Sequence, residues 1–206
     1  SSFWDFLNSE ELIRSNPVKK VGALKLEKTI KKPFAAEELE ALREGCKELR
    51  DRALVEFLYS TGVRVSELAA LNVADIEMGK QELIVYGKGS KERKTYLTDS
   101  AKFYLRRYLQ ERDAKPDEPL FVTLDAPHDR LSVAGIQYML RQLGRRAGVT
   151  GVHPHRFRRT IATDLLNRGM PIEQVKEFLG HKKLDTTMIY CTVRAESVKA
   201  SHRKYA

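Results

Sequence analysis

Apolar side chains recur at helical spacing through most of this chain. Leu39, Leu42 and Cys46 share one face over residues 36–46, and Leu54, Phe57 and Leu58 do so over residues 50–60. Gly62 follows the second pattern closely, where a left-handed glycine ends a helix at least cost. The same period predicts helices over residues 99–113, 133–147, 155–168 and 171–179, the last with Pro171 at its first turn and Gly180 just past its end. Three short alternating segments interrupt this pattern, at 73–76, 83–86 and 94–97, with Gly79-Lys80 and Gly87-Lys88-Gly89-Ser90 as turns. The expected fold class is therefore predominantly α-helical, of the α+β type, with a small three-stranded antiparallel sheet. No internal repeat is visible.

The two ends read differently from the middle. Residues 3–14 carry Phe3, Trp4, Phe6, Leu7, Leu12 and Ile13 in the spacing of a short amphipathic helix, too small to bury those rings by itself. Residues 15–33 are basic and punctuated by Pro17 and Pro33, which predicts a linker whose lysines suit a phosphate backbone. The expected division is 1–33 as the end of an N-terminal module plus linker, and 34–206 as the main domain with a C-terminal tail. Near the other end, Asp185 is placed to cap a short helix carrying Tyr190. The chain starts without an initiator Met, so it is expected to be a piece of a longer protein.

Composition narrows the partner. In 206 residues, Lys+Arg number 37 against 28 Asp+Glu, a net charge of +9, which is the excess a polyanion-binding surface requires. Cys46 and Cys191 have no metal-ligand spacing and form no disulfide framework, so a reducing, cytoplasmic setting is the default expectation. No stretch approaches the roughly 20 apolar residues of a membrane span.

The chemistry lies in a few patches. His155 and Arg158 sit one turn apart on an expected helix, with Phe157, Ile161 and Leu165 on its core-facing stripe. His153 and Pro154 put this pair at the helix N-terminus, where backbone N–H groups favour a phosphate, and Arg158 supplies a planar fork for its oxygens. Leu179-Gly180-His181 closes the next helix, and Tyr190 follows in another. Arg64 comes just after Gly62, with Glu67 spaced to hold it or a histidine in place. Lys88 occupies a glycine-flanked turn, from which it can enter a groove and protonate a leaving oxygen. Each feature has a plainer reading alone: a solvated polar face, a capping histidine, a packed phenol, a helix-start arginine, a solubilising lysine. Together they contain two phosphate-holding arginines, proton donors and a phenol nucleophile.

As a set, these patches identify a resemblance. Tyr59-Ser-Thr-Gly-Val-Arg64-Val-Ser-Glu67-Leu, Gly87-Lys88-Gly-Ser-Lys91-Glu-Arg93, His155-Arg-Phe-Arg158-Arg159-Thr-Ile-Ala-Thr, Leu179-Gly-His181 and Tyr190 occur in the order and at the intervals of the tyrosine recombinases, the phage-integrase family with its Xer-like members. The resemblance covers residues 34–195, and residues 1–33 resemble the last helix of that family's N-terminal DNA-binding domain plus the interdomain linker. It implies that Tyr190 is the nucleophile and forms a 3′-phosphotyrosyl link. It implies that Arg64 and Arg158 hold the charge on the phosphate, that Lys88 is the general acid to the 5′-oxygen, and that His155 assists proton transfer. It further implies that His181 bonds the phosphate and that Glu67 supports the site. The substrate would be double-stranded DNA, no cofactor or metal would be needed, and four protomers would form a synapse, exchanging C-terminal tails. Arg159 stands where many members have His, and the segment before Glu37 lacks the usual Ser/Thr cap. The alternatives are a type IB topoisomerase relaxing DNA as a monomer, and a non-catalytic regulator using 155–168 and 171–179 as a helix-turn-helix.

Overall fold

In the computed structural model, which describes residues 2–20, 32–80, 82–87 and 92–180, the chain divides into two compact units, Ser1–Ile30 and Lys31–Ala206. In chain order the helices are α1 (Ser2–Ser9), α2 (Ala36–Glu44), α3 (Leu49–Thr61), α4 (Val65–Ala70), α5 (Asp99–Glu111), α6 (Val133–Ala147), α7 (Pro154–Asn167) and α8 (Ile172–Leu179). Strands β1 (Glu82–Tyr86) and β2 (Glu92–Tyr96) lie between α4 and α5. No described helix is long and apolar enough to cross a membrane.

In the smaller unit, α1 stops at Ser9, short of the expected helix over 3–14. The Ser9 hydroxyl donates to the Phe6 carbonyl, competing for a backbone acceptor, and Glu11 takes a left-handed φ of 56° that no helix continues. A buried Asn16 donates its side-chain amide to Asp5 at 2.8 Å, tying the following turn back to the helix.

The larger unit is built around α3. Ala53, Leu54, Val55, Phe57 and Leu58 are fully buried, because α5 and α7 pack on different sides of this helix and leave it no solvent face over its middle turns. Phe157 of α7 is equally buried and meets Phe34 at a ring separation of 4.8 Å. The Phe34 N–H donates to Thr160 Oγ1, so the chain entering the unit is strapped to α7. Truncating such a ring to alanine costs about 3–5 kcal/mol, so Phe157→Ala is expected to lower the thermal unfolding midpoint by on the order of 10 °C.

Among the described residues the sheet has two strands, where three were expected: β1 and β2 pair antiparallel with Val85 opposite Arg93. The segment expected as a first strand, 73–76, forms a 3-10 turn at Val73–Asp75 instead. The Asp75 carboxylate accepts the N–H of Asn72 at 2.8 Å, and the next two N–H groups go to the carbonyls of Glu118 and Pro116. Local Asp capture and loop acceptors thus consume the donors a ladder needs. The hairpin is docked on the last turn of α3: Thr95 Oγ1 donates to the Thr61 carbonyl at 2.7 Å, and Ser60 Oγ donates to the Tyr96 carbonyl at 3.0 Å.

Candidate active site

Two helix ends meet beneath an open cleft. α3 ends at Gly62, whose φ of 56° is left-handed as its sequence position predicted, and the chain turns through Val63 to Arg64, the N-cap of α4. α8 ends at Gly180 with a φ of 64°. A helix C-terminus leaves its last carbonyls without intrahelical partners and carries partial negative charge.

At α8 these carbonyls are taken by arginines from three different elements. Arg93 of β2 donates Nη1 to the Phe178 carbonyl at 2.9 Å, Arg158 of α7 donates Nη2 to the Leu179 carbonyl, and Arg64 donates Nη2 to the Gly180 carbonyl at 3.2 Å. Three successive carbonyls therefore orient three guanidinium groups, immediately before His181 in the chain. Arg158 also donates Nη1 to the Gly62 carbonyl at 2.6 Å, so this buried side chain ties the α3 end to the α8 end.

Glu67 organises the cation cluster. It is buried, and one oxygen accepts Arg64 Nη1 at 2.8 Å while the other accepts Arg93 Nη2 at 2.6 Å and the Arg64 backbone N–H at 2.8 Å. Burial acts to raise its carboxyl pKa, but the backbone N–H of Arg64 and the Arg93 and Arg64 charges outweigh it, and the group lies below its usual value. Glu67 is therefore an anion that fixes two cations.

Of the residues expected to act chemically, Arg64, Glu67 and Arg158 come together at the α8 end. His155 lies exposed in the first turn of α7, one turn ahead of Arg158, with its ring 6.3 Å from that of His153. That helix begins at Pro154, whose missing N–H costs nothing there. Lys88, His181 and Tyr190 lie outside the described residues, as does the expected Asp185-capped helix. Arg93 belongs to a quoted motif but carried no expected role; the strand expected at 94–97 begins at Glu92, which puts Arg93 on the inward face with Thr95. The cleft above is bordered by Tyr86, Arg64, Glu67, Arg93 and Phe178. Among the described residues no group of His, Cys, Asp and Glu is arranged to hold a metal.

Gly180 is constrained twice. Besides its left-handed φ, a Cβ there would sit 2.5 Å from Arg93 Cδ, whose guanidinium is pinned by Glu67 and Phe178. Gly180→Ala is expected to cost at least about 1–2 kcal/mol from the backbone alone and to lower the midpoint in a thermal melt by several degrees.

Comparison with known proteins places this geometry. The model of the phage integrase family matches residues 24–197. The tyrosine recombinase XerC of Listeria monocytogenes serotype 4b (strain F2365) is 39% identical over 217 residues, covering 99% of this chain and 72% of the relative. The crystal structure of XerA recombinase superposes with a TM-score of 0.74 at 28% identity, covering 85% of this chain and 65% of that one. XerH site-specific recombinase, bound to a palindromic difH substrate in a post-cleavage complex, gives 0.67 at 25% identity, over 83% of this chain and 52% of its own. The chain thus spans about half to three quarters of the length of these relatives.

Proposed function

The chain belongs to the phage integrase family, and with it to the tyrosine-type site-specific DNA recombinases, and we propose that it cuts and rejoins duplex DNA through a 3′-phosphotyrosyl intermediate on Tyr190. The observation that carries the assignment of parts is the convergence of Arg64 and Arg158 on the α8 carbonyls next to His181. Two guanidinium groups already oriented by protein acceptors need little reorganisation when charge builds on a phosphate.

In this reading the Tyr190 oxygen attacks phosphorus, a new P–O bond forms to the phenol, and the bond to the 5′-oxygen breaks. The electron pair leaves on that oxygen, which takes a proton from the Lys88 ammonium. His155 assists removal of the phenol proton, His181 hydrogen-bonds the phosphate, and Glu67 holds Arg64. A 5′-hydroxyl from another strand then reverses these steps, so the bond energy is kept in the covalent ester and no cofactor is consumed. Residues 1–33 are the end of an N-terminal DNA-binding module and its linker.

Duplex sites recovered from randomised DNA by binding selection with the chain supply the substrate. On a nicked version, the chain should accumulate a covalent protein–DNA adduct that survives denaturation, and two intact duplexes should exchange strands. An adduct with relaxation but no exchange is the behaviour of a topoisomerase, and absence of any adduct would leave a binding protein.

The active assembly is a tetramer on DNA in which residues beyond Tyr190 pack on a neighbouring protomer. Val193, Ala195, Val198 and Ala200 give that tail its apolar content. Deleting residues 194–206 should leave binding of one protomer to one half-site intact and reduce the four-protomer complex in native gels. Unchanged assembly with full recombination would remove the tail from this role.

A further inference from the structure

We propose that Arg93 is a positioning residue for strand cleavage, locking the hairpin that carries Lys88 to the Arg64–Glu67 pair and to the end of α8. The inference rests on the reading of Lys88 as general acid. By sequence, Lys88 lies among the residues 87–91 that link Tyr86 to Glu92, so Arg93, the second residue of β2, is five positions from it in the chain.

Its side chain is 9% exposed and makes two directed contacts, Nη2 to Glu67 at 2.6 Å and Nη1 to the Phe178 carbonyl at 2.9 Å. Through Glu67 it shares one carboxylate with Arg64. A shift of the hairpin therefore changes the pairing of the carboxylate that balances the phosphate-holding arginine, and a shift of Arg64 changes what holds the hairpin.

Docking the strand alone does not require this arrangement. Thr95 and Ser60 already bond β2 to α3, and Tyr96 already stacks on Phe178 with ring centroids 6.4 Å apart. An arginine here is costly by comparison. Its Nε–H is buried with no partner among the described residues, and desolvation lowers the pKa of the group against the pull of Glu67. A buried charge can set geometry at the expense of stability, and the geometry proposed here is that of the hairpin against the arginines.

The experiment separates positioning of the acid from support of the fold. Single-turnover cleavage by the full chain is measured on two nicked duplexes carrying the selected site, one with the ordinary 5′-oxygen and one with sulfur bridging phosphorus to the 5′-carbon. Sulfur departs as a thiolate and needs no proton from a general acid. Arg93→Gln is expected to slow cleavage of the oxygen substrate by about 100-fold and to cleave the sulfur substrate within roughly three-fold of the unsubstituted chain. Arg93→Lys, which retains a cation beside Glu67 without the second arm, is expected to lie between. Should Arg93→Gln fail to fold, the sulfur-to-oxygen rate ratio of Arg93→Lys decides instead, and must exceed that of the unsubstituted chain.

Equal slowing of a folded variant on both substrates, or no slowing on either, would overturn the proposal. Lys88→Ala is run beside it. If that variant is not restored by sulfur while the unsubstituted chain cleaves both substrates, the reading of Lys88 fails, and any sulfur rescue seen with Arg93→Gln then assigns leaving-group protonation to another group and overturns the link to Lys88. If Lys88→Ala is restored and Arg93→Gln is not, only the role of Arg93 fails.

Discussion

Tyr190→Phe should abolish the covalent protein–DNA adduct completely while binding of the selected duplex stays within roughly two-fold of the unsubstituted chain. The substitution removes one oxygen and keeps the aromatic ring, so it deletes the nucleophile and little else. No other step of the proposed reaction can proceed, because the intermediate is the ester of that oxygen. The measurement is a denaturing gel of a labelled nicked duplex after incubation with each protein. Other phenols make good controls, since the structure distinguishes them. Tyr59 donates its hydroxyl to Asp164 at 2.7 Å, and burial followed by that hydrogen bond and charge pushes its pKa to about 12. It is poorly suited to attack near neutrality. Tyr108 is buried, its pKa is raised by the same desolvation, and its oxygen accepts the Val122 N–H. Tyr86 and Tyr96 are exposed and border the cleft, which makes them the sharper controls. Tyr86→Phe and Tyr96→Phe should each retain the adduct. If the adduct survives in Tyr190→Phe and is lost in one of these, the nucleophile is on the hairpin and the proposed division of roles is wrong.

The parts of this molecule legible in the sequence are those decided locally. α6 runs over Val133–Ala147 as the apolar period predicts, because Ser132 accepts the Gly135 N–H at its start and Gly148 takes a left-handed φ at its end. α8 stops at Gly180 for the same reason. The segment over 73–76 misled because its alternation matches a strand, while the Asp75 carboxylate takes the Asn72 N–H and loop carbonyls take the next two, which leaves an isolated bridge between Asn72 and Pro119 in place of a ladder. The clamp shows the other limit. Arg64 caps α4 and Glu67 lies in its first turn, three residues on, so their pairing is visible in the sequence. The bonds of Arg158 and Arg93 to the carbonyls at the helix ends join elements far apart in the chain, and no local pattern marks a backbone acceptor. The expected strand at 94–97 stops short of Arg93; the observed strand starts at Glu92, and its period-2 alternation places Arg93 inward with Thr95. Its meaning needed Glu67, a partner on another element.

Arg158 makes the second large prediction, because its removal is expected to act on the fold and on the chemistry by separable amounts. Arg158→Ala leaves the carbonyls of Gly62 and Leu179 without the donors that now join them, at the ends of α3, which packs into the main core, and of α8, which packs into a smaller cluster with Ala162 of α7. Unpairing such groups costs about 1–3 kcal/mol, or on the order of 2–10 °C in the melting midpoint of a chain this size. A loss of that size leaves a domain of ordinary stability mostly folded at 25 °C, so it slows cleavage little by depopulating the native state. In the proposed reaction Arg158 is also a preorganised donor to the phosphate, so its loss acts directly on the barrier, and cleavage is expected to fall by about 10²–10³-fold. Arg158→Lys distinguishes the two effects. An ammonium keeps the charge and can satisfy one of the two carbonyls, so the midpoint should recover part of its loss. It has no planar fork to serve the protein carbonyls and a phosphate together, so cleavage should remain slow. Rates measured at several temperatures below both midpoints decide between these contributions. A defect that tracks the unfolded fraction would make Arg158 a stitch between helix ends. A defect that persists in fully folded protein, and in the lysine variant, makes those same carbonyl bonds the means by which the fold aims a guanidinium at its substrate.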